Sequence, residues 1–165
     1  MTLKTHYRHP LDWTLDGLKE AKAELDHYYL ALRHADDVEA APDAEVPQEV
    51  EAALLDDLNT PQALTALHAV AGELNKVGDG AAKVSCKGQL LAAGAAFGLL
   101  RENPETWLKG AATDDAGDID ALIAARNAAR HSKDFAEADR IRDELAARGV
   151  VLEDGAGGTT WRRAG

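Results

Sequence analysis

The chain is poor in several things that mark whole classes of protein. It has one cysteine, Cys86, in 165 residues. A disulfide framework is thereby excluded, as is any CxxC zinc site, and the composition suits a reducing cytoplasm. No apolar run approaches the ~20 residues a membrane-spanning helix needs, and the opening MTLKTHYRHPLDW has no apolar core of a secretory signal. Aromatic residues make up only 5%. No glycine-rich loop joins a strand to a helix, so no phosphate cradle is recognisable, and no nucleophile sits in a strand–turn–helix elbow. The six histidines lack the spacing of metal ligands. His6 and His9 fall in an irregular segment, and His27, His34, His68 and His131 have no partner at ligand distance. Asp56-Asp57 reads as a solvated helix end. The residues offer no active site, no metal and no cofactor.

What is present is alanine, leucine and charge. Hydrophobic residues reach 45%, an ordinary share for a globular chain, and the helix formers among them predict a mainly α fold. The formal net charge is −11, which on its own opposes nucleic-acid binding. Residues 1–118 hold 10 Lys/Arg against 21 Asp/Glu, a net of −11, whereas residues 119–165 hold 8 of each, a net of zero. The acidity therefore belongs to the first part. The second part is rich in both signs, which suits reading base edges more than gripping phosphates.

Apolar spacing predicts a helix capped by Thr14 and running to about Ala35, with a buried stripe of Leu15, Leu18, Leu25, Tyr28, Tyr29 and Leu32. An acidic loop follows to Asp43. A second helix over 47–57 has Val50, Leu54 and Leu55 as its apolar side. Thr60 is placed as the cap and Pro61 as the first residue of a third helix reaching about Val77, with Leu64, Leu67, Val70, Leu74 and Val77 inward. A fourth helix spans 81–100, its Gly94 and Gly98 read as interior glycines that permit close packing. Asn103-Pro104 opens a short turn of helix carrying Trp107. The stretch GAATDDAGD reads as a linker. The organisation is thus an antiparallel helical bundle over 1–110, a linker over 111–118, and a module over 119–165 built of a helix pair plus a two-stranded β-ribbon. In that module Asp134 and Glu137 form an Asp version of the capping box, Gly149 ends the helix, and GAGG at 155–158 turns the ribbon.

Arg126, Arg130 and Lys133 follow at i, i+4 and i+7 and would align on one helix face. Asp139 and Arg142 are neighbours at i, i+3, either as base readers or as a plain surface ion pair. Phe135 and Trp161 are either stacking platforms or the core of a module with few aromatics. Arg126 reads as structural. Arginine offers a bidentate fork or a stacking plane to an unpaired base, and an Asp carboxylate accepts from the imino and amino groups of guanine.

Several stretches in order carry a family resemblance: THYRHPLDW at 5–13, DDLNTP at 56–61, KDFAEADRIRDEL at 133–145 and GVVLEDGAGGTTWRR at 149–163. Together they resemble the DALR-type helical domain and anticodon-reading tail of bacterial cysteinyl-tRNA synthetase. The resemblance implies that the tail reads the GCA anticodon of tRNA-Cys, with Arg130, Phe135, Asp139, Arg142, Asp154, Trp161 and Arg162 as RNA-binding residues. Phe135 stands where the family often has Trp. It implies that Asp154 reads the first anticodon base without holding the fold. The family's HIGH and KMSKS signatures and its zinc-bound cysteines match nothing in this chain, so the resemblance implies no ATP, zinc or cysteine binding and no catalysis by these residues alone. The expected partners are the tRNA-Cys anticodon stem-loop and a synthetase catalytic domain in cis or in trans. The other reading is a helical protein-interaction domain derived from the synthetase, suited by the acidic first part and the Ala/Gly-rich stretch at 91–98.

Overall fold

A computed structural model describes residues 2–78, 80–110, 115–155 and 158–164. Seven α-helices and one two-stranded sheet are present among them: α1 (Leu15–His34), α2 (Gln48–Leu55), α3 (Thr60–Leu74), α4 (Ala81–Ala96), α5 (Pro104–Lys109), α6 (Ala116–His131), α7 (Phe135–Ala147), β1 (Val150–Gly155) and β2 (Gly158–Arg163), after a 3-10 turn at Thr2–Lys4. The mainly α expectation, bundle then ribbon, holds. The chain forms two compact units that divide between Pro104 and Glu105. Most of α5 thus falls with the second unit, whereas the sequence reading ended the bundle at 110.

In the first unit α3 is the hub, packing against α1, α2 and α4. The helix starts and stops follow local chemistry. The Thr14 side chain accepts from the Gly17 N–H and caps α1. The cap of α3 is Asn59, one residue before the expected Thr60, and its side chain accepts from the Gln62 N–H. The buried side of α1 is Tyr28, Tyr29, Ala31 and Leu32, while Leu15 and Leu18 at its start are exposed. The apolar stripe there outruns the bundle that covers it. On α2 the buried residues are Val50 and Ala53, Leu54 is half-buried, and Leu55 is exposed. Ala63, Leu64, Leu67, Ala71 and Leu74 form the buried face of α3, with Val70 and Val77 half-buried.

The expected helix over 81–100 stops four residues early. Gly98 is in the left-handed region (φ +71°). Its N–H bonds the Ala95 carbonyl at 2.9 Å, and the Leu99 N–H bonds the Gly94 carbonyl at 2.8 Å. This is the paired closure with which a glycine ends a helix. Gly98 is therefore a terminator and not an interior glycine. Gly94 does permit close approach: a Cβ there would lie 2.6 Å from the Leu100 side chain folded back over it.

Between α1 and α3 the His27 and His68 rings stack at 4.3 Å, and His27 Nε2 is buried without a hydrogen-bond partner among the described residues. The Asp57 carboxylate accepts from the Tyr7 hydroxyl (2.7 Å) and from Arg8 (3.0 Å). Asp56 and Asp57 are both exposed just past the end of α2, as expected, and Asp57 in addition ties down the N-terminal segment.

In the second unit α6 packs on α7, and α7 on β1. Ile119, Ile123, Ile141, Leu145, Val150 and Trp161 make the core. Of the expected linker, Asp115 stands at the start of α6 and residues 116–118 are its first turn; 111–114 lie outside the described residues. Asp134 caps α7 by accepting from the Glu137 N–H at 3.1 Å. The reciprocal half of the expected capping box is absent, because the Glu137 carboxylate pairs with Arg140 (2.7 Å) and the Asp134 N–H bonds the Ala129 carbonyl. The ribbon is antiparallel, with Val150 opposite Arg163 and Gly155 opposite Gly158. The turn residues Ala156 and Gly157 lie outside the described residues.

Candidate nucleic-acid interface

The geometry of the second unit starts from the ribbon's register. Cross-strand partners share a face, so Asp154 with Thr159 and Leu152 with Trp161 point to one side, and Glu153 with Thr160 and Val151 with Arg162 to the other. Trp161 lies in the core, which sets the first side against the helices. At the far end of that side an open depression of about 510 Å³ is lined by Asn127, Arg130, His131, Phe135, Asp154, Gly155, Gly158 and Thr159. The last turn of α6, the first residue of α7 and the ribbon's turn end converge there. Phe135 is 63% exposed. An apolar ring presented to solvent beside hydrogen-bonding groups is the arrangement that stacks and reads an unpaired base.

Asp154 is the electrostatic centre. Arg126 grips it with both guanidinium ends (3.1 and 3.0 Å), Arg130 donates to it at 3.1 Å, and the Thr159 hydroxyl donates at 2.7 Å. Each oxygen accepts two bonds, which fills the capacity of a carboxylate. The Arg126 hydrogen bonds, then that from Thr159, hold the Asp154 carboxyl far below the usual carboxylate range. The Arg126 side chain is only 10% exposed, whereas those of Asp154 and Arg130 are about half exposed. Arg126 is thus a structural cation under the ribbon. Asp154 compensates it and orients Arg130 in the depression, and in this arrangement it has no acceptor left for a base. Asp154 was expected to read a base without holding the fold; here it also belongs to the unit's internal ion-pair centre.

The other expected residues divide. Arg130 and Phe135 line the depression with Asp154. Asp139 and Arg142 lie at i+4 and i+7 from Phe135 and continue its face along α7. They form an exposed ion pair at 2.8 Å, with Arg142 also on Asp143 at 3.0 Å. Trp161 is 2% exposed, and its indole N–H donates to Asp120 at 2.7 Å. It anchors the core and presents no stacking face, because the residues of the buried face need a large apolar group where so few aromatics are available. Arg162 is on the opposite face of the ribbon from Asp154 and pairs with Glu153 at 3.1 Å. Lys133 does not extend the Arg126–Arg130 row, since α6 ends at His131 and the chain turns at Lys133 with φ +61°.

Two lining residues, Asn127 and Thr159, were not singled out from sequence, and His131 was weighed there only as a histidine without a metal-ligand partner. Asn127 and His131 share the α6 face of Arg130 at i, i+3 and i+4 spacing, a signal legible once the helix is known. His131 Nδ1 is 2.8 Å from the Asn127 carbonyl. A carbonyl only accepts, so Nδ1 carries the proton and Nε2 is the ring atom left for a further contact. Among the described residues no group of three or more His, Cys, Asp or Glu is placed to hold a metal ion.

Comparison with known proteins agrees with this partition. Residues 49–101 match the DALR domain, and residues 113–162 match the cysteinyl-tRNA ligase anticodon binding domain. The chain is 57% identical to a cysteine–tRNA ligase of Paramagnetospirillum magneticum, over 98% of this chain and 36% of that protein. It is 51% identical to the one of Rhodospirillum rubrum, with the same two shares. With the one of Acidiphilium cryptum it shares 53% identity, over 99% of this chain and 35% of the relative. The chain thus spans about a third of the length of the curated relatives it matches. Through these two domains, in this order, the chain belongs to the cysteine–tRNA ligase family.

Proposed function

We propose that this chain is a tRNA-Cys anticodon-recognition module, without catalysis by these residues alone, that supports aminoacylation when joined to a catalytic domain. The observation that carries the reading is the coincidence of the anticodon-binding match at 113–162 with the depression where Arg130, Phe135 and Asp154 meet. In this reading Phe135 stacks one unpaired anticodon base. Arg130, pinned by Asp154, turns its remaining N–H groups to that base's edge. Asp139 and Arg142 extend the contact along α7 by opening their exposed pair, which costs little because such pairs contribute about 0–1 kcal/mol. Catalysis would gain by positioning: a tRNA held at its anticodon presents its far end in one orientation.

The test is fluorescence anisotropy with a labelled tRNA-Cys anticodon stem-loop and a one-base anticodon variant, at low salt. Saturable binding with at least tenfold weaker binding of the variant is expected. Equal binding to both, or none, overturns the reading.

A second reading draws on the first unit. Six large apolar residues there stand in solvent: Tyr7, Trp13, Leu15, Leu18, Leu55 and Leu58. They favour a protein contact, with a synthetase catalytic domain in cis or in trans as the partner. Such docking buries apolar area and varies little with salt, whereas RNA binding weakens steeply.

A further inference from the structure

The second unit neutralises nearly all of its own positive charge. Lys109 faces Glu105, Arg126 and Arg130 share Asp154, and Arg140 sits between Glu137 and Glu144. Arg142, Arg148, Arg162 and Arg163 each face a carboxylate as well. Among the described residues of 105–164, Lys133 is the one lysine or arginine with no ion pair, and it is exposed. It stands between His131 and Phe135, both of which line the depression.

Its backbone is unusual in a second, independent way. Lys133 occupies the left-handed region at φ +61°. Its N–H bonds the Arg130 carbonyl at 3.2 Å, and the Asp134 N–H bonds the Ala129 carbonyl at 2.9 Å. That closure places Lys133 where helices ordinarily put glycine or asparagine. A side chain there is less favourable than glycine, and among the described residues no ion pair of the amine offsets it. Strain kept without a structural return is what functional positions show.

We propose that Lys133 is a phosphate contact for the RNA backbone beside the base seated at Phe135, the one lysine or arginine among the described residues of this unit not already paired with a carboxylate. This rests on the anticodon-module reading and adds the group that grips the chain to those that read it. An amine with no carboxylate partner has no ion pair to open on binding a phosphate, whereas the arginines of this unit are already engaged by carboxylates. Contact with phosphate carries no sequence information, so Lys133 sets affinity and leaves discrimination to Arg130 and its neighbours.

The experiment measures the salt dependence of stem-loop binding by the full chain and by Lys133→Gly, Lys133→Gln and Lys133→Arg, with the cognate loop and the one-base variant. Losing one phosphate contact should flatten the slope of log affinity against log salt by about 0.7. Over a tenfold rise in salt, the Gly and Gln variants should then lose about fivefold less affinity than the unaltered chain. Their preference for the cognate loop should be unchanged, and Lys133→Arg should keep the original slope. Lys133→Gly should also raise the thermal midpoint of the second unit by relieving the turn. Discriminating binding with the original slope in both Gly and Gln variants overturns this proposal and leaves the anticodon reading standing. Absence of binding by the unaltered chain overturns both.

Discussion

Replacing Asp154 by alanine tests the ion-pair centre most directly. Four hydrogen bonds disappear: two from Arg126, one from Arg130 and one from Thr159. Their costs differ because their donors differ in access to water. Arg130 is about half exposed, and on losing its partner it is solvated at almost no cost. Arg126 is not: only 10% of its side chain is exposed, so its charge stays under the ribbon without a counter-ion. Breaking a fully buried pair costs about 3–5 kcal/mol and an exposed one about 0–1 kcal/mol. With one partner buried and the other half in solvent, about 2 kcal/mol is expected, a change of about 30-fold in the opening equilibrium of this unit. Two compact units need not unfold together, so a global melting curve is the wrong assay. Amide hydrogen exchange resolved to α6, β1 and β2 reads the second unit alone. Asp154→Ala should speed exchange there about 30-fold and leave α1–α4 untouched. Arg126→Met combined with Asp154→Ala should recover most of the protection, since a packed apolar pair replaces the ionic one at little net cost. Unchanged exchange in the single variant refutes the assignment of Arg126 as a compensated structural cation. The pH dependence has a definite sign. The folded-state pKa of Asp154 is depressed, so its contribution is complete above the ordinary carboxylate pKa of about 3.9. It is lost only as pH falls through the lower folded value.

Phe135→Ala should weaken stem-loop binding by about 1–3 kcal/mol, and Phe135→Trp should strengthen it by widening the stacking surface; a titration of the three proteins checks the order. His27 is held below its ordinary value, first by burial and then by the stacked His68, with Glu24 opposing. The neutral ring therefore stabilises the first unit above the ordinary histidine pKa of about 6.5, and this is lost as pH falls through the depressed folded value. His27→Phe should remove that component from thermal midpoints measured between pH 7 and 5. Gly94→Ala should cost about 1–3 kcal/mol by overpacking against Leu100, and chemical denaturation followed on α4 exchange should show it.

Much of the fold is legible in the chain because its signals are local. Thr14 and Asp134 cap the helices that follow them as their residue types predict, since the acceptor and the orphan N–H lie three residues apart. Where neighbours compete for one role, local reading slips: Asn59 takes the cap expected of Thr60. Capping-box spacing was present at Asp134 and Glu137, yet an arginine three residues on captured the glutamate. Gly98 looked like a helix interior because the apolar residues run on to Leu100, and only the chain's reversal shows that the helix has ended.

The sequence by itself determined the helix count, the order of a helical part before a helix-pair-and-ribbon part, and the family, because each is written in periods, caps and motifs a few residues long. Tertiary structure alone decided the roles at the candidate site. Arg126 and Asp154 are 28 residues apart and Trp161 and Asp120 are 41 apart. Which of them meet depends on how the ribbon's register turns one face to the helices. That single choice buries Trp161, sends Arg162 to the opposite face and closes the Asp154 carboxylate around two arginines. No pattern along the chain encodes it, because alternation fixes which residues share a face but not which face is covered.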